Sequence, residues 1–136
     1  MFPIEHDHYG VPDAPTQPFH IDSAGILEIP ATTTRLAGRN VPAAGGGYFR
    51  LLPLAASRWL MRRVLRTGSA PAVFYFHPWE LDPGQPRIPG ASARARFRHY
   101  LNLGKFERRL AAMLESFAWD RMDRVFGIGA QGAYRP

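Results

Sequence analysis

The chemistry of this chain concentrates where an apolar run stops: Ala72-Val73-Phe74-Tyr75-Phe76 is followed at once by His77-Pro78-Trp79-Glu80. An imidazole is the side chain best suited to moving protons near neutral pH, and a carboxylate three residues on can orient it. The indole between them offers an apolar ring face and one N–H donor, which suits a pyranose ring as well as it suits core packing. His6-x-His8 with Asp7 or Asp13 has a spacing compatible with metal ligation, but a proline-rich arm gives it no rigid scaffold. Gly45-Gly46-Gly47 lacks the lysine and the preceding strand of a phosphate loop. It reads as backbone freedom or close approach to a ligand, with Tyr48 and Arg50 as contacts.

These residues need elements to position them. Val73 to Phe76 is apolar without alternation, the pattern of a strand buried on both faces, as in a parallel α/β sheet. Pro78 removes a backbone donor and ends such a strand, which puts His77 and Glu80 at its carboxyl end, where α/β folds place their chemistry. Upstream, residues 1–23 read as an irregular arm, Gly25 to Pro30 as a short strand and residues 32–47 as a loop. A helix is expected from Pro53 to Arg66, with Ala55, Trp59 and Met61 to Val64 facing inward and Gly68 ending it. Downstream, Asp82 to Pro86 is a turn-rich crossing.

The second helix is the more strongly marked. Leu103, Phe106, Leu110, Met113, Leu114 and Phe117 recur at steps of three and four, Asn102 is its expected cap, and Glu107, Arg108, Arg109 and Glu115 fall on the wet side. His99 is expected to pack at the start of that helix. Phe117 to Trp119 reads as a last short strand, with Asp120 capping a final turn, and residues 127–136 as a frayed tail after a domain spanning 1–126. Two or three buried-type strands are too few to close a parallel sheet, so unpaired edges are expected and the chain reads as the later part of a larger α/β domain.

Composition narrows the function classes. At 136 residues and 46% apolar the chain suits one domain with a real core. With no cysteine it offers neither a disulfide nor a thiolate metal site. No apolar run approaches the ~18 residues of a membrane span and no secretion signal is present, so no membrane span is expected and a cytoplasmic setting is favoured. A net charge of +6 and a pI near 10.5 invite a nucleic-acid reading. Sixteen of the seventeen cations are arginines, many spread singly over helix faces, so no nucleic-acid partner is expected; attraction to an anionic polysaccharide fits the same charge.

The run Phe74-Tyr75-Phe76-His77-Pro78-Trp79-Glu80-Leu81-Asp82-Pro83-Gly84-Gln85-Pro86-Arg87 resembles the C-terminal region of NodB-type polysaccharide deacetylases, in particular the subgroup found with exosortase and PEP-CTERM exopolysaccharide systems. Further anchors in the same order are residues 6–15, Gly25 to Pro30, Gly45 to Pro53 and Arg96 to Asn102. The resemblance implies the C-terminal part of a distorted (β/α) barrel, incomplete here. It also implies an enzyme that removes acetyl groups from N-acetylated sugars with a zinc-type divalent metal, an aspartate base and a histidine that protonates the departing amine. The family's closing Leu-x-His is matched by Tyr75-Phe76-His77, which gives His77 the general-acid role. Trp79, Glu80, Tyr48 and Arg50 are the candidate substrate contacts.

The family's aspartate base and Asp-His-His metal site lie in its N-terminal half, before anything present here. The expectation is therefore that this chain alone binds no metal and is not catalytic, and that it contributes to an enzyme together with an N-terminal segment. The alternative is a noncatalytic module that uses Trp79, Tyr48 and arginines to hold a polysaccharide or a partner deacetylase.

Overall fold

A computed structural model describes residues 1–5, 10–21, 25–68 and 70–128. His6 and His8 lie outside the described residues, as does most of the expected tail. Two antiparallel hairpins come first: β1 (Phe19–Ile21) pairs with β2 (Ile26–Glu28), and β3 (Thr33–Leu36) pairs with β4 (Arg39–Pro42). Five helices follow among the described residues: α1 (Gly46–Leu51), α2 (Leu54–Thr67), α3 (Ala93–Tyr100), α4 (Leu103–Leu114) and α5 (Met122–Val125). A 3-10 turn, Pro78–Leu81, lies between α2 and α3. The architecture is mixed α/β with short strands, and the described residues form no closed barrel.

The second hairpin stands where a loop was expected. Its strands carry β-branched Thr33, Thr34 and Val41, and Ala37 and Gly38 both take positive φ, 47° and 81°, the two-residue turn whose twist matches that of the flanking strands. Part of the expected N-terminal arm is likewise a strand, β1.

Two apolar clusters hold the helices. Phe49, Phe106, Leu110 and Met113 form one, with Leu54, Phe74 and Phe117 against it. Ala43, Leu60 and Val64 form the other, with Leu36, Leu52 and Ala72 against it. The three-and-four spacing of α4 buries Leu103, Phe106, Leu110 and Met113 as expected, but Leu114 is exposed. Helix α2 is where the sequence put it, with Met61 and Val64 inward as expected but Ala55 and Trp59 not. It buries Ser57, Leu60, Met61 and Val64, while Ala55 is exposed and Trp59 is 47% exposed. Truncating Trp59 to alanine is therefore expected to change stability by about 1 kcal/mol or less, against the ~3–5 kcal/mol of a core tryptophan; the urea midpoint measures the difference.

The segment expected to be a core strand is not one. Ala72 to His77 forms no ladder among the described residues. Val73 N donates to Thr32 Oγ1 (2.7 Å), and Tyr75 O accepts from Gly46 N (2.9 Å). The apolar run has a different cause: Ala72 packs on one cluster and Phe74 on the other, so the segment threads between two cores. Phe117 to Trp119 is likewise irregular, its rings meeting edge-on at 6.2 Å with Trp119 edge-on to Phe74.

Candidate functional site

Helix α1 opens on two glycines, poor helix formers, and packing explains the first of them. A Cβ on Gly46 would fall inside the Glu80 carboxylate, and one on Gly45, whose φ is +117°, would stand 2.8 Å from the Tyr75 ring. One turn after Gly46, on the same face, stands Arg50. Its Nε donates to Glu80 Oε1 at 2.7 Å, and the two residues are 3% and 0% exposed. Taking both charges out of water is costly, and further hydrogen bonds to the pair offset part of that cost. Arg50 Nη1 donates to the carbonyls of Arg98 (3.1 Å), His99 (2.9 Å) and Leu101 (3.1 Å). Glu80 Oε2 accepts from His77 N at 2.9 Å, the carboxylate reaching back to the residue that opens its own 3-10 turn.

Further donors converge on Arg50. Asn102 Nδ2 donates to Arg50 O at 2.8 Å, from a left-handed φ of 53° that starts α4, so its side chain ties two helices together instead of capping its own. Arg109, expected on the wet side of α4, is half-buried and donates to the carbonyls of Arg50 and Leu52. Burial lowers the pKa of its guanidinium. Arg58 donates to Ala112 O (2.7 Å), tying α2 to α4, and Arg63 to Arg35 O (3.2 Å), tying α2 to β3. Part of the basic composition is thus used inside the fold, where a planar fork of donors can satisfy several carbonyls at once.

Above the buried pair lies a row of rings. His77 is exposed, its ring parallel to Trp79 with centroids 5.8 Å apart, and Trp79 stacks on His99 at 4.4 Å. The Arg50 guanidinium stands 5.0 Å from the Trp79 ring centroid. His99 continues edge-on to Tyr100 at 4.6 Å. Gln85 Nε2 donates to the carbonyls of Trp79 (2.9 Å) and Asp82 (2.8 Å), which turns Oε1 toward His99 Nε2 at 2.6 Å and makes that nitrogen the donor.

The same chain, over residues 1–127, matches the model of a family described as a domain of unknown function, DUF3473. It belongs to that family. The match covers every residue of the ring row and of the Arg50–Glu80 pair, so this arrangement lies wholly within the DUF3473 domain. No curated protein and no solved structure matches the chain.

Of the residues singled out by sequence, the DUF3473 domain brings His77, Trp79, Glu80 and Arg50 together. Tyr48, on α1 but turned some 200° from Arg50 by the helical period, packs edge-on to Phe2 at 6.5 Å. Glu80 and Arg50, expected to touch substrate, are buried and paired with each other. They underlie the ring row, Arg50 beneath Trp79 and Glu80 on the backbone of His77. Asp82 spends a carboxylate oxygen on Gly84 N (2.9 Å), closing its own turn. His99 was assigned to the start of α4; it stands instead in the last turn of α3 and, with Gln85, joins the site, a role that no spacing in the sequence announces.

Gly46 gives a direct test of the fitted contact. Gly46→Ala must push the Glu80 carboxylate or the start of α1 aside, an overpacking cost of about 1–3 kcal/mol. Gly47→Ala, in open space on the same helix, should be neutral or better. A denaturant series that ranked the two alike would contradict this packing.

Proposed function

We propose that this chain is the C-terminal portion of a metal-dependent polysaccharide N-deacetylase of the NodB type, from the subgroup associated with exosortase and PEP-CTERM exopolysaccharide systems. Its region of a distorted (β/α) barrel supplies the general acid, His77. The observation that carries this reading is the contrast at one position. The His77 imidazole is exposed, while its backbone N–H is held by a carboxylate that is itself buried against Arg50. A proton donor must be reachable by substrate yet fixed in place, and a ring on such a support meets both conditions. The sequence similarity around Tyr75-Phe76-His77 supports it further.

The described residues do not fit the divalent metal that the resemblance implies: among them no group of three or more His, Asp or Glu side chains could hold one. The share of the reaction derived from this chain is accordingly proton delivery. His77 gives its proton to the departing amine nitrogen as the carbon–nitrogen bond breaks, and Trp79, braced by His99, borders the sugar. The metal and the aspartate base belong, in this reading, to an N-terminal segment. No helix among the described residues is long and apolar enough to cross a membrane.

The test joins this chain to a segment carrying an Asp-His-His metal site and aspartate base and measures acetate release from N-acetylated oligosaccharides. Release by the joined protein and none by this chain alone is the expected result. A joined, folded, metal-loaded protein with no release would refute the proposal.

A further inference from the structure

Helix α3 buries none of its residues, and two large apolar side chains stand in solvent, Phe97 on the helix at 58% exposed and Ile88 just before it at 60%. With Arg87, Arg96 and Tyr100 they line an open groove of about 500 Å³. The groove is pinned from within. Ile88 N donates to Tyr100 Oη and Tyr100 Oη donates to Pro86 O, both at 3.0 Å, and the Arg87 guanidinium stands 4.7 Å from the Tyr100 ring centroid. No Asp or Glu occurs in the sequence between Asp82 and Glu107.

The groove is also continuous with the candidate site. From His77 the ring row passes through Trp79, His99 and Tyr100 to Arg87, in steps of 5.8, 4.4, 4.6 and 4.7 Å. We infer that this groove binds acidic sugar units of the polysaccharide that His77 acts on, with Arg87 and Arg96 pairing their carboxylates while Ile88 and Phe97 receive their C–H faces. The substrate class is then a carboxylate-bearing, that is uronate-containing, polymer. A guanidinium pairs with a carboxylate through two parallel N–H donors, and an exposed ring beside it takes the apolar face of a pyranose. Nucleic acid fits less well. Single strands need a series of open rings for base stacking, whereas Tyr100 already carries Arg87 and Phe97 is left as the one open ring of the groove.

This inference rests on the reading of His77 as facing a polysaccharide, but its test needs neither metal nor turnover. Calorimetric titration of this chain with short oligogalacturonides should show binding that weakens as salt rises. Arg87→Gln with Arg96→Gln should weaken it about tenfold or more, and Phe97→Ala should weaken it with the salt dependence intact. Arg66→Gln with Arg108→Gln removes the same charge from exposed positions elsewhere and should leave affinity within about twofold. Circular dichroism confirms that each variant is folded. Three results would each overturn the inference: equal affinity for a neutral glucan oligomer, equal losses in both arginine pairs, or tighter binding of oligo(dT) lost on the same substitutions. Failure of acetate release in the joined protein would leave the binding result standing, which separates the two claims.

Discussion

Replacing His77 by alanine in the chain joined to a segment that carries the proposed metal site is expected to lower turnover about 100- to 10,000-fold, the usual worth of a positioned general acid. The expectation has a shape as well as a size. If His77 donates in the step that breaks the carbon–nitrogen bond, as proposed, the loss should fall on kcat and on kcat/KM alike, with metal content unchanged. A substrate whose leaving amine is already activated should lose less, since it depends less on being protonated. Near-normal turnover would remove the general-acid assignment, and loss of bound metal would make His77 a ligand. Trp79→Ala, which strips the ring between His77 and His99, should act more mildly, by loosening the imidazole it stacks on.

Breaking the buried pair should be as costly to stability as losing His77 is to catalysis. Glu80→Ala leaves the Arg50 guanidinium at 3% exposure without its counter-charge, and removal of one partner from such a pair typically costs about 3–5 kcal/mol. Arg50→Met should cost as much or more, because it also strands carbonyls at the end of α3. Replacing both partners with apolar residues of similar volume should recover much of the loss, since the double change leaves no isolated charge. Denaturant unfolding of the two single variants and the double variant measures this cycle. A Glu80→Ala protein as stable as the parent would mean that the pair does not anchor the fold.

How far the sequence revealed this structure depends on what kind of force made each element. Helix α4 was legible because Leu103, Phe106, Leu110 and Met113 bury one face at the helical period. Helix α3 was not, because Ala93 to Tyr100 buries nothing and so carries no apolar period. Helix α1 was hidden by Gly46 and Gly47: one is needed for close approach to Glu80, a long-range contact that no local pattern encodes. The hairpin at Thr33 to Pro42 turns on Ala37-Gly38, without the Asn-Gly that usually announces such a turn. Val73 to Phe76 was misjudged because a continuous apolar run looks the same whether it lies inside a sheet or between two side-chain clusters. His77, Trp79 and Glu80 were visible as a local motif. The pairing of Glu80 with Arg50, thirty residues earlier, and the bracing by His99 and Gln85 are products of tertiary folding.

The attachment of α3 has a calorimetric consequence. Heat capacity rises on unfolding mainly because apolar surface is hydrated, and exposure of polar surface lowers it. Helix α3 buries no residue of its own and is held largely by polar contacts: the Arg50 guanidinium on three peptide carbonyls at its end, His99 on Gln85 and Tyr100 Oη on Pro86 and Ile88, beside the stack of His99 on Trp79. Its release would hydrate mainly polar groups, with the stacked faces of Trp79 and His99 as the chief apolar exception. The heat-capacity step expected on melting this domain therefore belongs mainly to the Phe106 and Leu60 clusters, and the helix that carries His99 should contribute little to it.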